Sequence, residues 1–157
     1  MTDPANDGRP ETEDERLDRN WSELLQEVRV TQTGTQILTG FLLTLAFQQR
    51  FTELSSMQVG IYLTLVIVSG LTTALALTPV ALHRALFREG AKEWIVRVTN
   101  GLVKATLVGV GLALTGTVLL VFDVVIGLGA GITAAIIIAI LTVLAWLVLP
   151  VFAHRHR

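Results

Sequence analysis

The chain has 157 residues, 52% of them hydrophobic, a formal net charge of -1 and no cysteine. That composition excludes a disulfide framework, thiolate chemistry and Cys-ligated metal, and the balanced charge gives no electrostatic footprint for nucleic acid. The apolar residues are gathered into four stretches without a charged residue, at 30–49, 54–82, 105–122 and 124–153. A membrane span needs roughly 20 such residues to cross about 30 Å of hydrocarbon. The pattern therefore predicts an all-α integral membrane protein with four transmembrane helices.

Residues 1–16 are dominated by acidic residues, Pro, Asn and Gly. They hold too little apolar surface to offset the entropy of ordering, which predicts a disordered acidic tail. A four-span membrane domain is expected over 17–153, closed by a basic tail at 154–157. With no early apolar run to form a cleavable signal, the first span is expected to stay as an uncleaved anchor.

Leu17, Trp21, Leu24, Leu25 and Val28 recur at helical spacing among polar residues. They predict an amphipathic helix, capped at Asn20 or Ser22, that either lies at the cytoplasmic interface or packs against the cytoplasmic loop. The first span, about 33–51, is the most polar. Gln32 and Gln36 sit one helical turn apart beside a row formed by Thr31, Thr35 and Thr39. A span of this kind should face other helices, because unpaired amides are costly in hydrocarbon. Gln32, Gln36 and Thr39 offer amide and hydroxyl oxygens that suit either interhelical hydrogen bonds or coordination of a cation.

The second span, about 59–82, carries Ser69, Thr72, Thr73 and Ala76 near one face and Pro79 near its end, where a bend or stop is expected. Beyond it, 83–99 reads as a second cytoplasmic-side amphipathic helix that Gly90 can break in two. Arg84, Arg88 and Lys92 on its basic face would attract anionic lipid headgroups, although topology control alone accounts for the same charges.

The third and fourth spans, about 101–122 and 130–152, carry small residues every four positions. One stripe is Gly101, Ala105, Gly109, Ala113 and Thr117; the other is Gly127, Gly131, Ala135 and Ala139. Such stripes let helix backbones approach closely. With only a short connection near Asp123, the two spans are expected to form a tight antiparallel hairpin with the stripes facing each other; a homodimer contact is the alternative use of one stripe.

Eleven of the twelve Lys and Arg residues fall in the N-terminal, middle and C-terminal hydrophilic segments, and only Arg50 falls in the other two loops. Basic segments resist translocation, so both termini are expected in the cytoplasm and the protein in a bacterial inner membrane. No catalytic constellation is present: there is no triad-like context, phosphate loop or HExxH, and the histidines sit at predicted boundaries beside arginines. Neither enzyme activity nor a cofactor or metal is expected. No acidic residue lies inside a predicted span, and Asp123 reads as the solvated turn of the hairpin, with a proton site as the sharper alternative.

The segments ELLQEVRVTQTGTQILTGFLLTLAFQQRF at 23–51 and PVALHRALFR at 79–88 resemble a family of small bacterial four-span proteins classed as a domain of unknown function, found mainly in actinobacterial-type genomes. Members often carry the automatic name sodium:proton antiporter, so the resemblance implies a monovalent cation and a proton as potential partners. Small four-span multidrug exporters are similar in size. They use a first-span glutamate, and this chain has Gln36 and no acid there. Two roles stay open: a structural or regulatory membrane component that binds its own kind or another membrane protein, and an oligomeric antiporter-like carrier.

Overall fold

The computed structural model describes residues 12–86 and 92–148. Within them the chain forms four long helices: α1 (Glu13–Leu45), α2 (Ser56–Leu86), α3 (Lys92–Val125) and α4 (Leu128–Val143), the last running on into a π-helical turn at Leu144–Val148. A 3-10 turn, Gln49–Glu53, joins α1 to α2. Arg88, Gly90, Pro150, the acidic tail up to Glu11 and the basic C-terminal tail lie outside the described residues.

Helix α1 is one unbroken rod of 33 residues, roughly 50 Å at 1.5 Å per residue. It begins earlier than its composition suggests because Thr12 and Glu15 form a capping box. The Thr12 hydroxyl accepts from the Glu15 amide at 3.3 Å, and the Glu15 carboxylate accepts from the Thr12 amide at 2.9 Å. Residues 13–16, assigned by composition to a mobile tail, are therefore helical, and neither Asn20 nor Ser22 is a cap. The segment 17–29 is not a separate interfacial helix, since the same rod continues through Val30 to Leu45. The rod also stops sooner than 51: it is capped at Ala46, and the chain turns through Gln48 into the 3-10 segment Gln49–Glu53.

Helix α2 passes through Pro79 and ends at Leu86, so the proline does not close it. The reading of 83–99 as an amphipathic helix of its own is also corrected: 83–86 are the last turn of α2, and from Lys92 onward the chain is already α3. Three helical segments are long and apolar enough to cross a membrane: Ser56–Leu82, Val96–Val125 and Leu128–Val148. They fit a membrane protein, and they overlap the second, third and fourth predicted spans.

Helix α3 is central. It packs on α2, α4 and α1, while α1 also packs on α2. The contacts fix the directions. Val28 of α1 lines one small hollow together with Ala76 and Pro79 of α2 and Val103 of α3. One end of the bundle is therefore built from early α1, late α2 and early α3. At the other end Leu42, Tyr62, Leu65 and Leu120 form a buried cluster. Phe51 closes it with an edge-on contact to Tyr62, ring centroids 4.9 Å apart. Aromatic pairs in this arrangement add about 0.5–1.5 kcal/mol beyond the area they bury.

Candidate functional site

The strongest polar feature is a part-buried junction where α2 begins and α3 ends. Ser55 and Gln58 form a second capping box: the Gln58 amide nitrogen of the backbone donates to Ser55 Oγ at 3.3 Å, and Gln58 Oε1 accepts from the Ser55 amide at 2.9 Å. With its oxygen held this way, Gln58 points its Nε2 across to α3, where it donates to Asp123 Oδ2 at 3.1 Å. Asp123 is only 7% exposed. It lies within α3, and the reversal to α4 comes four residues later at Gly127, whose φ of 128° suits a residue without a side chain. The reading of Asp123 as a solvated turn residue is thus corrected.

Helix α4 seals the junction. A Cβ added to Gly131 would stand 2.8 Å from the Leu119 carbonyl oxygen and 3.1 Å from both Cβ and N of Asp123. Only glycine lets α4 lie against the backbone of α3 here. The start of α2 thus reaches the Asp123 carboxylate through Gln58, while the first turn of α4 lies against the Asp123 backbone. Chemically the junction holds a carboxylate with one fixed amide donor, suited to fastening two helices or to exchanging a proton or small cation.

The other expected site residues do not join it. Gln32 and Thr39 on α1 are half-buried and Gln36 is exposed. The Thr39 hydroxyl donates to the Thr35 carbonyl at 2.8 Å, and Thr31, Thr33 and Thr35 likewise bond the carbonyl four residues back in their own helix. Among the described residues none of these hydroxyls bonds to another helix. On α2, Ser69, Thr72 and Ala76 turn inward as a face. Ser69 Oγ and Thr99 Oγ1 are buried without a hydrogen-bond partner among the described residues.

The small-residue stripes divide differently from a simple face-to-face hairpin. On α4, Gly131 and Ala135 are buried and Ala139 half-buried, and Gly127 caps the helix start. On α3, however, Gly109 faces α2: an added Cβ would collide with the Thr72 side chain. Ala113 is buried, Thr117 is half-buried, and Gly101 and Ala105 are exposed. What α3 offers α4 is a neighbouring face that contains Gly111, beside Thr142 and Trp146, and the Leu119–Asp123 backbone. Four-residue spacing drifts around a helix with 3.6 residues per turn, so one stripe need not stay against one neighbour. Gly116, outside the predicted stripe, makes room for Leu65.

Sequence reasoning missed Gln58 and Ser55. Their S-x-x-Q spacing just before an apolar run was the available signal.

The family model described as a family of unknown function, DUF6328, matches residues 10–150. The chain belongs to that family. Comparison with curated proteins and with solved structures gives no match.

Proposed function

We propose that this DUF6328 member is a four-span protein of the bacterial inner membrane, both termini cytoplasmic, with a structural or regulatory role exercised by binding a partner within the membrane. The observation that carries this reading is the placement of α1. From Val28 to Leu42 it follows α2 from Pro79 back to Tyr62 and α3 from Val103 to Leu120. A helix laid along two crossing helices over that length, about 21 Å at 1.5 Å per residue, crosses with them. The orientation rests on the basic residues. Arg16, Arg19, Arg29, Arg84 and Arg97 belong to early α1, late α2 and early α3, which share one end of the bundle. Cytoplasmic placement of that end follows the resistance of such segments to translocation. Arg84 then stands at the anionic headgroups of the inner leaflet, the partner expected from the sequence for Arg88 and Lys92 as well.

Cross-linking in intact membranes followed by mass spectrometry tests the role. Recovery of one constant partner, including a second copy, supports it; recovery of random neighbours alone overturns it.

A second reading, a sodium- or cation:proton carrier, is favoured by one observation, the burial of Asp123 beside Gln58. A carrier needs a group that changes charge at membrane depth. Reconstituted protein would then collapse an imposed pH gradient when sodium or potassium is added, and Asp123→Asn would abolish the response while keeping an acceptor for Gln58. A well-folded preparation without any response removes the carrier.

A further inference from the structure

One face of α1 leaves an amide outside the bundle. Gln36 is exposed, and its side chain has no hydrogen-bond partner among the described residues. It lies about midway between Val28 and Leu42, the two α1 residues that mark the ends of the packed length. If α1 crosses the membrane as proposed above, this amide stands near mid-depth, where a bare polar group costs several kcal/mol.

Its neighbours are arranged for contact with another helix. Arg29, Thr33, Gln36, Gly40 and Leu43 are all exposed and follow one another at intervals of four, three, four and three. That spacing keeps the five on one side of α1, a seam along which a second helix can run, and Gln36 is its only amide. Gly40 lies one turn beyond Gln36, and a Cβ there would meet nothing within 4 Å inside the chain. The Thr33 hydroxyl is already bonded to the Arg29 carbonyl at 2.9 Å, so the amide is the only seam group within hydrocarbon that asks for an external partner. Arg29 ends the seam at the basic, water-facing end, where its long side chain can extend away from the contact.

We propose that two copies of this chain pair in the membrane through this face of α1, with the Gln36 amides hydrogen-bonded to each other. An amide carries both donor and acceptor, so it is its own complement. Two copies inserted in the same orientation bring Gln36 to the same depth on a two-fold axis along the membrane normal. An unrelated partner would have to supply a matching group at that depth; a second copy does so automatically. The proposal rests on α1 crossing the membrane, and the experiment separates the two.

The chain has no cysteine, so single-cysteine variants report cleanly in membranes of cells making the full chain. Mild oxidation is expected to link Gly40→Cys and Leu43→Cys into a species of twice the mass. Phe41→Cys, also exposed but on the far side of α1, is expected to remain single. Adding Gln36→Leu to Leu43→Cys is expected to weaken pairing about 3- to 30-fold, the range of one interhelical hydrogen bond, and Gln36→Asn to retain most of it. Equal linking of Phe41→Cys, absence of the seam products, or indifference to Gln36→Leu overturns the pairing. Thr52→Cys, in the turn after α1, is treated with a membrane-impermeant maleimide from outside the cell. Reaction there, with the seam products missing, discards the pair alone; reaction only after the cell is opened discards the crossing as well.

Discussion

Gly131 and Gly70 separate two uses of glycine that sequence alone does not distinguish. Alanine at Gly70 meets nothing within 4 Å, whereas at Gly131 it meets the Leu119 carbonyl and the Asp123 backbone. Backbone cannot move aside as a side-chain end can. Overpacking of this kind costs about 1–3 kcal/mol, against about 1 kcal/mol gained in helix propensity. Gly131→Ala is therefore expected to lower the unfolding temperature of detergent-solubilised protein, and Gly70→Ala to leave it equal or higher. The same junction ranks two polar variants. Gln58→Leu strands a buried carboxylate and is expected to cost about 1–3 kcal/mol or more, while Asp123→Asn leaves the amide an acceptor and should cost less. Equal melting temperatures for these two would contradict the assigned bond. At the exposed start of α1, hydrogen bonds from the Thr12 backbone and then its side chain hold the Glu15 carboxyl below its ordinary value of 4.5. A depressed folded-state pKa means that the cap contributes above the unfolded value and is lost as pH falls through the folded one. Protection of the Glu15 and Arg16 amides, taken as exchange relative to the intrinsic rate at each pH, should fall on acidification below about pH 4.5, and Thr12→Ala should show the reduced protection at neutral pH as well.

Among elements, the α2–α3 contact depends on Gly109 and Gly116, which make room for Thr72 and Leu65. Gly109→Ala is expected to destabilise the protein because Thr72 is β-branched and tied to the Val68 carbonyl at 2.7 Å, leaving it little freedom to rotate. Thr72→Ala should restore part of the loss by removing the two nearest atoms, and a double-mutant cycle that shows simple additivity would contradict this contact. The three apolar helices were legible in the sequence because length and absence of charge suffice to mark a span. Helix α1 was less so. Its polar first half and apolar second half read as two units, and only the cap at Thr12 and its continuous packing reveal a single rod. The T-x-x-E at 12–15 and the S-x-x-Q at 55–58 were readable local signals. The depth of Asp123 was not readable, because it depends on where the turn falls, and that is decided at Gly127. The partner of Gly109 was hidden for a related reason: spacing identifies a small face without saying which neighbour lies against it.

At the scale of the whole molecule, a basic end and an opposite end whose only basic residue among those described is Arg50 make orientation measurable. A reporter enzyme joined after Arg84 is expected to be active only inside the cell, and one joined at Thr52 only outside; the reverse would overturn the topology. The bundle also has an implied order of biogenesis. Thr64, Thr72, Thr73 and Thr78 of α2 and Thr106 and Thr117 of α3 each satisfy their hydroxyl on a carbonyl of the same helix. Each segment can accordingly leave the translocon and partition into lipid with those alcohols already masked, before any neighbour arrives. The Gln58–Asp123 bond is different, because it needs two segments separated by 65 positions. The Asp123 carboxylate and the Gln58 amide can therefore satisfy each other only once α2 and α3 stand side by side.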